Sequence, residues 1–249
     1  MSQLFVVNLG RTRYAETWEL QKRIFSARLR AETPHFGVQA RLEQRIGDIL
    51  LLTEHDPVFT FGKGADENHL LASEQELNEK KIDMFWIDRG GDVTFHGPGQ
   101  IVGYPIIDLN LHYNDIHRYL RDLEQVIIDV LNEYGIVGGR EKEFTGVWVK
   151  NDKIAALGVK VSKWITMHGF ALNIGTDLSF FDRIIPCGIF HKGVTSLHNV
   201  VGKPIAIDEV QQHIVNHFAK IFSFEIKHIS TEELETMLRH NEAAVEEIQ

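Results

Sequence analysis

The sequence predicts a single α+β domain built on a mixed, largely antiparallel sheet packed by helices, and three observations carry that expectation. Strand-like and helix-like runs follow one another irregularly, without the βαβαβ rhythm of a doubly wound parallel sheet. From Gly146 to Ile174 the chain is β-rich, with three apolar runs joined by short turns. One long amphipathic segment, Asp115 to Tyr134, places Ile116, Tyr119, Leu120, Leu123, Ile127, Val130, Leu131 and Tyr134 on one face, closed by Gly135 as C-cap, and that face needs a sheet to cover it.

The remaining elements follow in order. Gln3 to Asn8 reads as a strand and Tyr14 to Ala31 as an amphipathic helix, with Trp18, Ile24, Phe25 and Leu29 near the helical period. Asp48 to Thr53 is a short apolar strand. Asp56-Pro57 then turns the chain into Val58 to Phe61, closed by Gly62-Lys63-Gly64. That glycine loop lacks Walker A spacing, so a plain hairpin end outweighs a phosphate cradle. Ser73 to Lys80 is a short helix with Ser73 as N-cap and Glu76 three residues on, a capping box. Val147 to Val149, a turn at Asn151-Asp152 and a strand from Lys153 through Ile154 to Val161 make a hairpin, followed by a run from Trp164 to Ile174. Asp177 to Asp182 is a helical turn, and Val200 to Pro204 a linker to an Asp208 to Phe222 helix. A Phe224 to His228 strand and an acidic terminal helix close the chain.

Composition bounds the function. The chain has 249 residues, 43% hydrophobic and 24% charged, enough for a sizeable core. No repeat, low-complexity tract or clear linker divides it, so residues 1–249 are expected to form one domain with a core at about 47–222 and a strand-and-helix tail at 223–249. A formal charge of −9 argues against non-specific nucleic-acid binding. No apolar stretch has the ~20 residues of a membrane helix and the start lacks a leader pattern, so neither a membrane nor export is expected, and the location is expected to be cytoplasmic. One cysteine, Cys187, excludes an internal disulfide, and the 13 histidines show no HExxH-type spacing, so no metal is expected.

The chain is organised around Arg89 to Tyr104, which holds five glycines, a proline, an arginine and a histidine between two apolar β-type runs, Met84 to Ile87 and Ile101 to Ile107. Gly90-Gly91 and Gly97-Pro98-Gly99 read as two tight loops flanking a short strand, because glycine allows close approach to the main chain. Turns alone leave Arg89, Thr94 and His96 unexplained. A guanidinium beside glycine amides suits a carbonyl, carboxylate or phosphate. Cys187, between Pro186 and Gly188, sits in an irregular loop where a nucleophile is commonly held. A thiolate there needs a nearby cation or base, with Lys153, His96 and His168 as candidates that the residues alone do not rank. Phe95, Trp164, Phe170 and Leu172 are suited either to an apolar slot or to the core. Six basic against three acidic residues between Arg140 and Lys163 form a candidate docking face for an acidic partner.

Three ordered blocks carry a resemblance. Arg89-Gly90-Gly91-x-x-Thr94-x-His96-Gly97-Pro98-Gly99-Gln100-x-x-Gly103-Tyr104-Pro105, Lys153 to Gly158 with Thr166-x-His168-Gly169-x-Ala171-Leu172-Asn173, and Ile185 to Gly188 together resemble the lipoyl(octanoyl)transferase family over about Gly47 to Val200. The resemblance implies a fold like the catalytic domain of biotin and lipoate protein ligases. It implies octanoyl transfer from the phosphopantetheine thioester of acyl carrier protein, through a thioester on Cys187, to a lysine of lipoyl domains. The implied acceptors are 2-oxoacid dehydrogenase E2 subunits and the glycine cleavage H protein. Lys153 is then the residue that lowers the cysteine pKa and shuttles protons. Substrate is expected against Arg89, Gly90, Gly91, Asp92, Val93, Thr94, Phe95 and His96, against Ala156, Leu157 and Gly158, and against His168, Gly169, Phe170 and Ala171. No cofactor is expected, because a thioester is already activated. The alternatives are an ATP-dependent lipoate or biotin-type ligase, a non-catalytic carrier-binding protein and a cysteine thioesterase.

Overall fold

The computed structural model describes residues 2–31, 46–185 and 193–246. Ten strands lie among them: β1 (Ser2–Thr12), β2 (Asp48–His55), β3 (Val58–Phe61), β4 (Asp83–Trp86), β5 (Val93–His96), β6 (Gln100–Ile106), β7 (Val147–Val149), β8 (Asp152–Ser162), β9 (Ile165–Asn173) and β10 (Phe224–His228). The α-helices are α1 (Tyr14–Ala31), α2 (Glu74–Lys80), α3 (Ile116–Glu133), α4 (Leu197–Val201), α5 (Ile207–Phe222) and α6 (Thr231–Glu246).

Seven strands form the central sheet in the order β10-β1-β2-β6-β9-β8-β7. The pairs β10/β1 and β1/β2 are parallel and every other pair is antiparallel, which is the mixed, largely antiparallel sheet expected. Period-2 alternation gives the sheet two apolar faces. Leu50 and Leu52 of β2 join the cluster with α3 and α5, while Ile49 and Leu51 join the one with α1 and α6. Each such fully buried aliphatic side chain contributes ~1.5–3 kcal/mol. The apolar face of α3 lies on the sheet as its pattern requires, with Asp115 accepting the Arg118 N–H at the N-cap. Its first and fifth residues, Ile116 and Leu120, lie at the rim of a cavity instead.

Four features differ from the sequence expectation. A second sheet, β4-β3-β5, stands apart from the first. Phe59 and Phe61 of β3 require their own core, and they find it with Leu77, Ile82, Val93, Phe95 and Ile184. The β7/β8 turn falls one residue earlier than expected. Val149 pairs with Asp152, so Lys150 and Asn151 are the loop, and Lys150 takes the positive φ of 54°. The β8/β9 connection is a tight two-residue loop, Lys163 and Trp164, at φ 48° and 66°, with Ser162 opposite Ile165. Both central residues have φ > 0, as a type I′ turn demands, without the Asn-Gly signal that normally announces one. In addition, Val200 and Val201 are helical rather than linker, and Gly202 at φ 78° caps them.

Residues on both sides of the expected core belong to the same architecture. β1 and β10 are central-sheet strands, and Arg23 of α1 clasps Glu235 and Glu242 of α6.

Glycine sets the closeness of β6 and β9. A Cβ on Gly169 would lie 2.1 Å from the Gly103 carbonyl oxygen and 2.6 Å from Pro105 Cδ, groups that cannot rotate away. Gly169→Ala is therefore expected to destabilise the fold by ~1–3 kcal/mol, the usual cost of overpacking. Urea unfolding, read as a lowered midpoint at constant slope, checks this.

Candidate active site

The two sheets meet where β5 returns toward β6, and a cavity of about 490 Å³ opens between them, within the ~300–1,000 Å³ range of small-molecule sites. One wall is the 89–92 loop with β5, the other is β8 and β9 with the start of β6. Register explains how separate sequence blocks come together. Ala156 pairs with Ala171, Leu157 with Phe170, Gly158 with Gly169 and Val159 with His168. The glycine loop then docks on this pair, with the Gly90 N–H donating to the Val159 carbonyl at 3.0 Å. A Cβ on Gly158 would lie 2.8 Å from the Gly90 oxygen, so the approach depends on a bare α-carbon there.

Of the expected substrate residues, Arg89 to Thr94, His96, Ala156 to Gly158 and His168 to Ala171 all line the cavity. Phe95 does not. Strand alternation turns its ring away into the smaller core, 4.4 Å from Phe180 in a stacked arrangement and 5.5 Å from Phe59. Lys153 lines the cavity as well, and Cys187, with Pro186 and Gly188, lies outside the described residues. Gly193, which follows that segment, pairs with Lys153: the Lys153 N–H donates to Gly193 O and the Thr195 N–H to Lys153 O, both at 2.9 Å. Tyr14, Gln100, Tyr104, Trp148 and Asn173 also face the cavity. Sequence reading missed these. Gln100 and Asn173 stood inside the quoted motifs and their polarity in apolar strands was the available signal, whereas nothing local marks Tyr14.

Arg89 does different work from that expected of an exposed guanidinium. It is buried, and its Nη2 donates to the Thr60 carbonyl at 2.6 Å and to Thr60 Oγ1 at 3.0 Å, with Nη1 on the Gly90 carbonyl at 3.0 Å. The Gly62-Lys63-Gly64 amides donate to the carbonyls of Asp92, Arg89 and Gly91. Those amides are thus committed to the glycine loop rather than to a phosphate, and the segment does not close a hairpin, because the next strand, β4, runs parallel to β3 after α2.

Hydrogen-bond directions across the cavity floor are fixed by the Phe95 and Thr195 carbonyls, which can only accept. Thr60 Oγ1 accepts from Arg89 and lies 3.3 Å from His96 Nε2. His96 Nδ1 then donates to Gln100 Oε1 at 2.8 Å. Gln100 Nε2 donates to the Phe95 carbonyl and to Asn173 Oδ1, and Asn173 Nδ2 to the Thr195 carbonyl. His96 is therefore a neutral Nδ1–H imidazole, in keeping with burial that pulls its pKa down to about 3. Burial also draws down His55, to about 4, where it pairs with the Tyr104 hydroxyl at 2.7 Å. His168 sits at φ 61° in mid-strand, a costly conformation for a non-glycine residue. Its Nε2 lies 2.9 Å from Asp88 Oδ1, and Lys160 Nζ is 2.5 Å from Asp88 Oδ2. The bond from His168 is the main cause holding the Asp88 carboxyl well below its usual range, whereas burial lowers the pKa of His168 itself.

The basic run between Arg140 and Lys163 does not form one face. Arg140 pairs with the buried Glu124 and Lys160 with Asp88. Lys150 and Lys163 occupy the turns at opposite ends of the 11-residue β8, ~35 Å apart at the usual rise per residue. No helix among the described residues is long and apolar enough to cross a membrane, and no group of three metal-ligating side chains occurs among them.

Residues 13–219 match the model of the lipoyl protein ligase A/B catalytic domain, and the chain belongs to that family. It is 47% identical to an octanoyltransferase of Christiangramia forsetii over 90% of this chain and 97% of that one. It is 50% identical to an octanoyltransferase of Rubrobacter xylanophilus over 85% and 90%. Among solved structures it superposes on a bi-partite lipoate protein ligase from Thermoplasma acidophilum with a TM-score of 0.67 at 16% identity, covering 96% of this chain and 92% of that one. It also superposes on lipoate-bound LipL1 of P. falciparum, with a TM-score of 0.70 at 12% identity, covering 96% and 70%. At such identities the likeness to ligases shows the fold, which is the one expected from the sequence.

The two buried neutral histidines predict acid sensitivity. Their folded pKa values, about 4 for His55 and about 3 for His96, lie below the ordinary 6.5, so the unfolded chain binds the extra protons as the pH falls. Their contribution is complete above 6.5 and is lost as the pH drops toward 4 and 3. At pH 5 each should cost roughly 2 kcal/mol relative to pH 7. The His55→Gln/His96→Gln variant is expected to lose much less stability between pH 7 and 5 than the wild type, measured by urea midpoints at both pH values.

Proposed function

We propose that this protein is an octanoyltransferase of protein lipoylation. It would take an octanoyl group from the phosphopantetheine thioester of acyl carrier protein and pass it to a lysine of a lipoyl domain. The observation that carries this reading is the convergence of the Arg89–His96, Ala156–Gly158 and His168–Ala171 blocks on one apolar-walled cavity with Lys153 in its lining. Family membership and relatives named octanoyltransferase at 39–50% identity support acyl transfer. The ligase alternative is not favoured, because its support is a likeness of fold at 12–16% identity.

In this reading the thiolate of Cys187 attacks the thioester carbonyl. The C–S bond to pantetheine breaks and the released thiolate takes up the proton of Lys153. The target lysine amine then attacks the Cys187 thioester, forming the amide, and its surplus proton returns to Lys153 as the Cys187 thiolate leaves. A positive Lys153 favours the Cys187 thiolate, and a lysine can give up its proton in a way an arginine cannot. The acyl group arrives already activated, so the reaction requires no nucleotide or metal. Loops rich in glycine and a neutral His96 suit a carbonyl and an alkyl chain better than a charged ligand. The reducing cytoplasm is the compartment that keeps such a thiol free. Carrier docking would fall to the exposed rim around the cavity rather than to the whole basic run, since that run divides between two ends of β8.

The test is direct. Incubation with octanoyl-carrier protein is expected to add one octanoyl group, located by mass spectrometry on Cys187, and a lipoyl domain is expected to remove it with amide formation on its lysine. A protein that acquires no covalent acyl group, or that releases free acid as fast without the acceptor as with it, would sink this assignment. Cys187→Ala is expected to abolish acylation. Lys153→Arg should retain alkylation of Cys187 at neutral pH yet slow transfer to the amine, whereas Lys153→Ala should move the thiol toward its ordinary pKa of ~8.5 and slow alkylation. If alkylation is suppressed by His168→Gln and untouched by Lys153→Ala, a cysteine–histidine pair replaces the cysteine–lysine pair.

A further inference from the structure

Glu124 is a fully buried carboxylate on a helix face otherwise made of apolar residues. Its Oε2 accepts from Arg121 Nη1 at 2.6 Å and from Arg140 Nε at 3.0 Å, and its Oε1 accepts the Gly146 backbone N–H at 3.0 Å. An apolar residue would cover that face of α3 without the desolvation cost of a charge, so the contribution of Glu124 lies in what it holds. It holds the 140–146 segment at both ends, and the middle of that segment, Glu143 to Thr145, lines the cavity.

Gly146 is the point of interest. Its φ of 139° is confined to glycine, and a Cβ there would lie 2.7 Å from the Ala155 oxygen, 3.2 Å from Lys153 Cε and 3.5 Å from Lys153 Cδ. The Lys153 methylenes therefore run along the bare face of Gly146, and Nζ lies 4.9 Å from the centroid of the Trp148 ring. Backbone bonds to Gly193 and Thr195 fix the root of the side chain. Its course into the cavity is fixed by Gly146 and Trp148, and the Gly146 amide is fixed by Glu124.

We infer that Glu124 is a positioning residue for Lys153, acting through the backbone of Gly146. The inference rests on the role of Lys153 proposed above, and two readouts separate them. The first follows the Lys153 ε-methylene resonance in protein labelled with 13C-lysine, assigned by its loss in Lys153→Ala. The Trp148 ring current shifts this resonance upfield in the wild type. Glu124→Gln and Gly146→Ala are each expected to return it toward the position of an exposed lysine. Gly146→Ala leaves the buried charges in place, and so decides the matter if Glu124→Gln does not fold. The second readout is turnover with octanoyl-carrier protein and a lipoyl domain. kcat is expected to fall ~10- to 100-fold in both variants with KM for the carrier unchanged, the scale of a misplaced catalytic group. Combining Glu124→Gln with Lys153→Ala is expected to cost no more than Lys153→Ala alone. A resonance that keeps its upfield place in the folded variants, or a further fall in the double variant, overturns the inference. Full turnover by Lys153→Ala would overturn the reading of Lys153 instead, with the resonance still deciding the positioning.

Discussion

The site depends on the contact of one glycine loop with two backbones. Residues 89–92 are hydrogen-bonded on one side to the amides of Gly62 to Gly64 and on the other, through the Gly90 N–H, to the Val159 carbonyl of β8. Side chains at Gly62 or Gly158 would collide with this loop, 2.3 Å from the Gly91 oxygen and 2.8 Å from the Gly90 oxygen. Missing Cβ atoms thus let the small sheet lean on the large one, and the cavity is the space that remains between them. Arg89 reinforces the joint from within by filling the Thr60 carbonyl and hydroxyl with charge-assisted bonds.

The same joint dictates the electrostatics of the cavity floor. Because the Phe95 and Thr195 carbonyls can only accept, Asn173, Gln100 and His96 take one proton direction toward the carbonyl of Thr195, whose own N–H bonds Lys153, and Thr60 and Arg89 continue the chain beyond His96. A chain with a single consistent direction is rigid as well as satisfied, and cooperative polarisation strengthens it. His96 is neutral in this scheme, and the Asp88 charge is answered by Lys160 and His168.

The sequence by itself determined the elements and most of the site's membership. Period-2 and period-3.6 patterns are local, so α3, β8, β9 and the apolar strand β2 were legible, as were the residues of the three motif blocks. Tertiary structure decided what the patterns leave open. Phe95 carries the same apolar and aromatic character as a slot residue, and only strand direction turns it into the smaller core. Lys163-Trp164 lacks turn residues, yet pairing of Ser162 with Ile165 forces positive φ on both. Lys150 and Lys163 are neighbours in a charge count and lie at opposite ends of a strand in space. Arg89, Gln100, Asn173 and Glu124 act through bonds to residues 29, 73, 22 and 22 positions away, respectively. The physical reason is the same in each case: spacing along the chain records which face a side chain takes, whereas its partner is chosen by long-range pairing and close backbone approach, which no local pattern encodes.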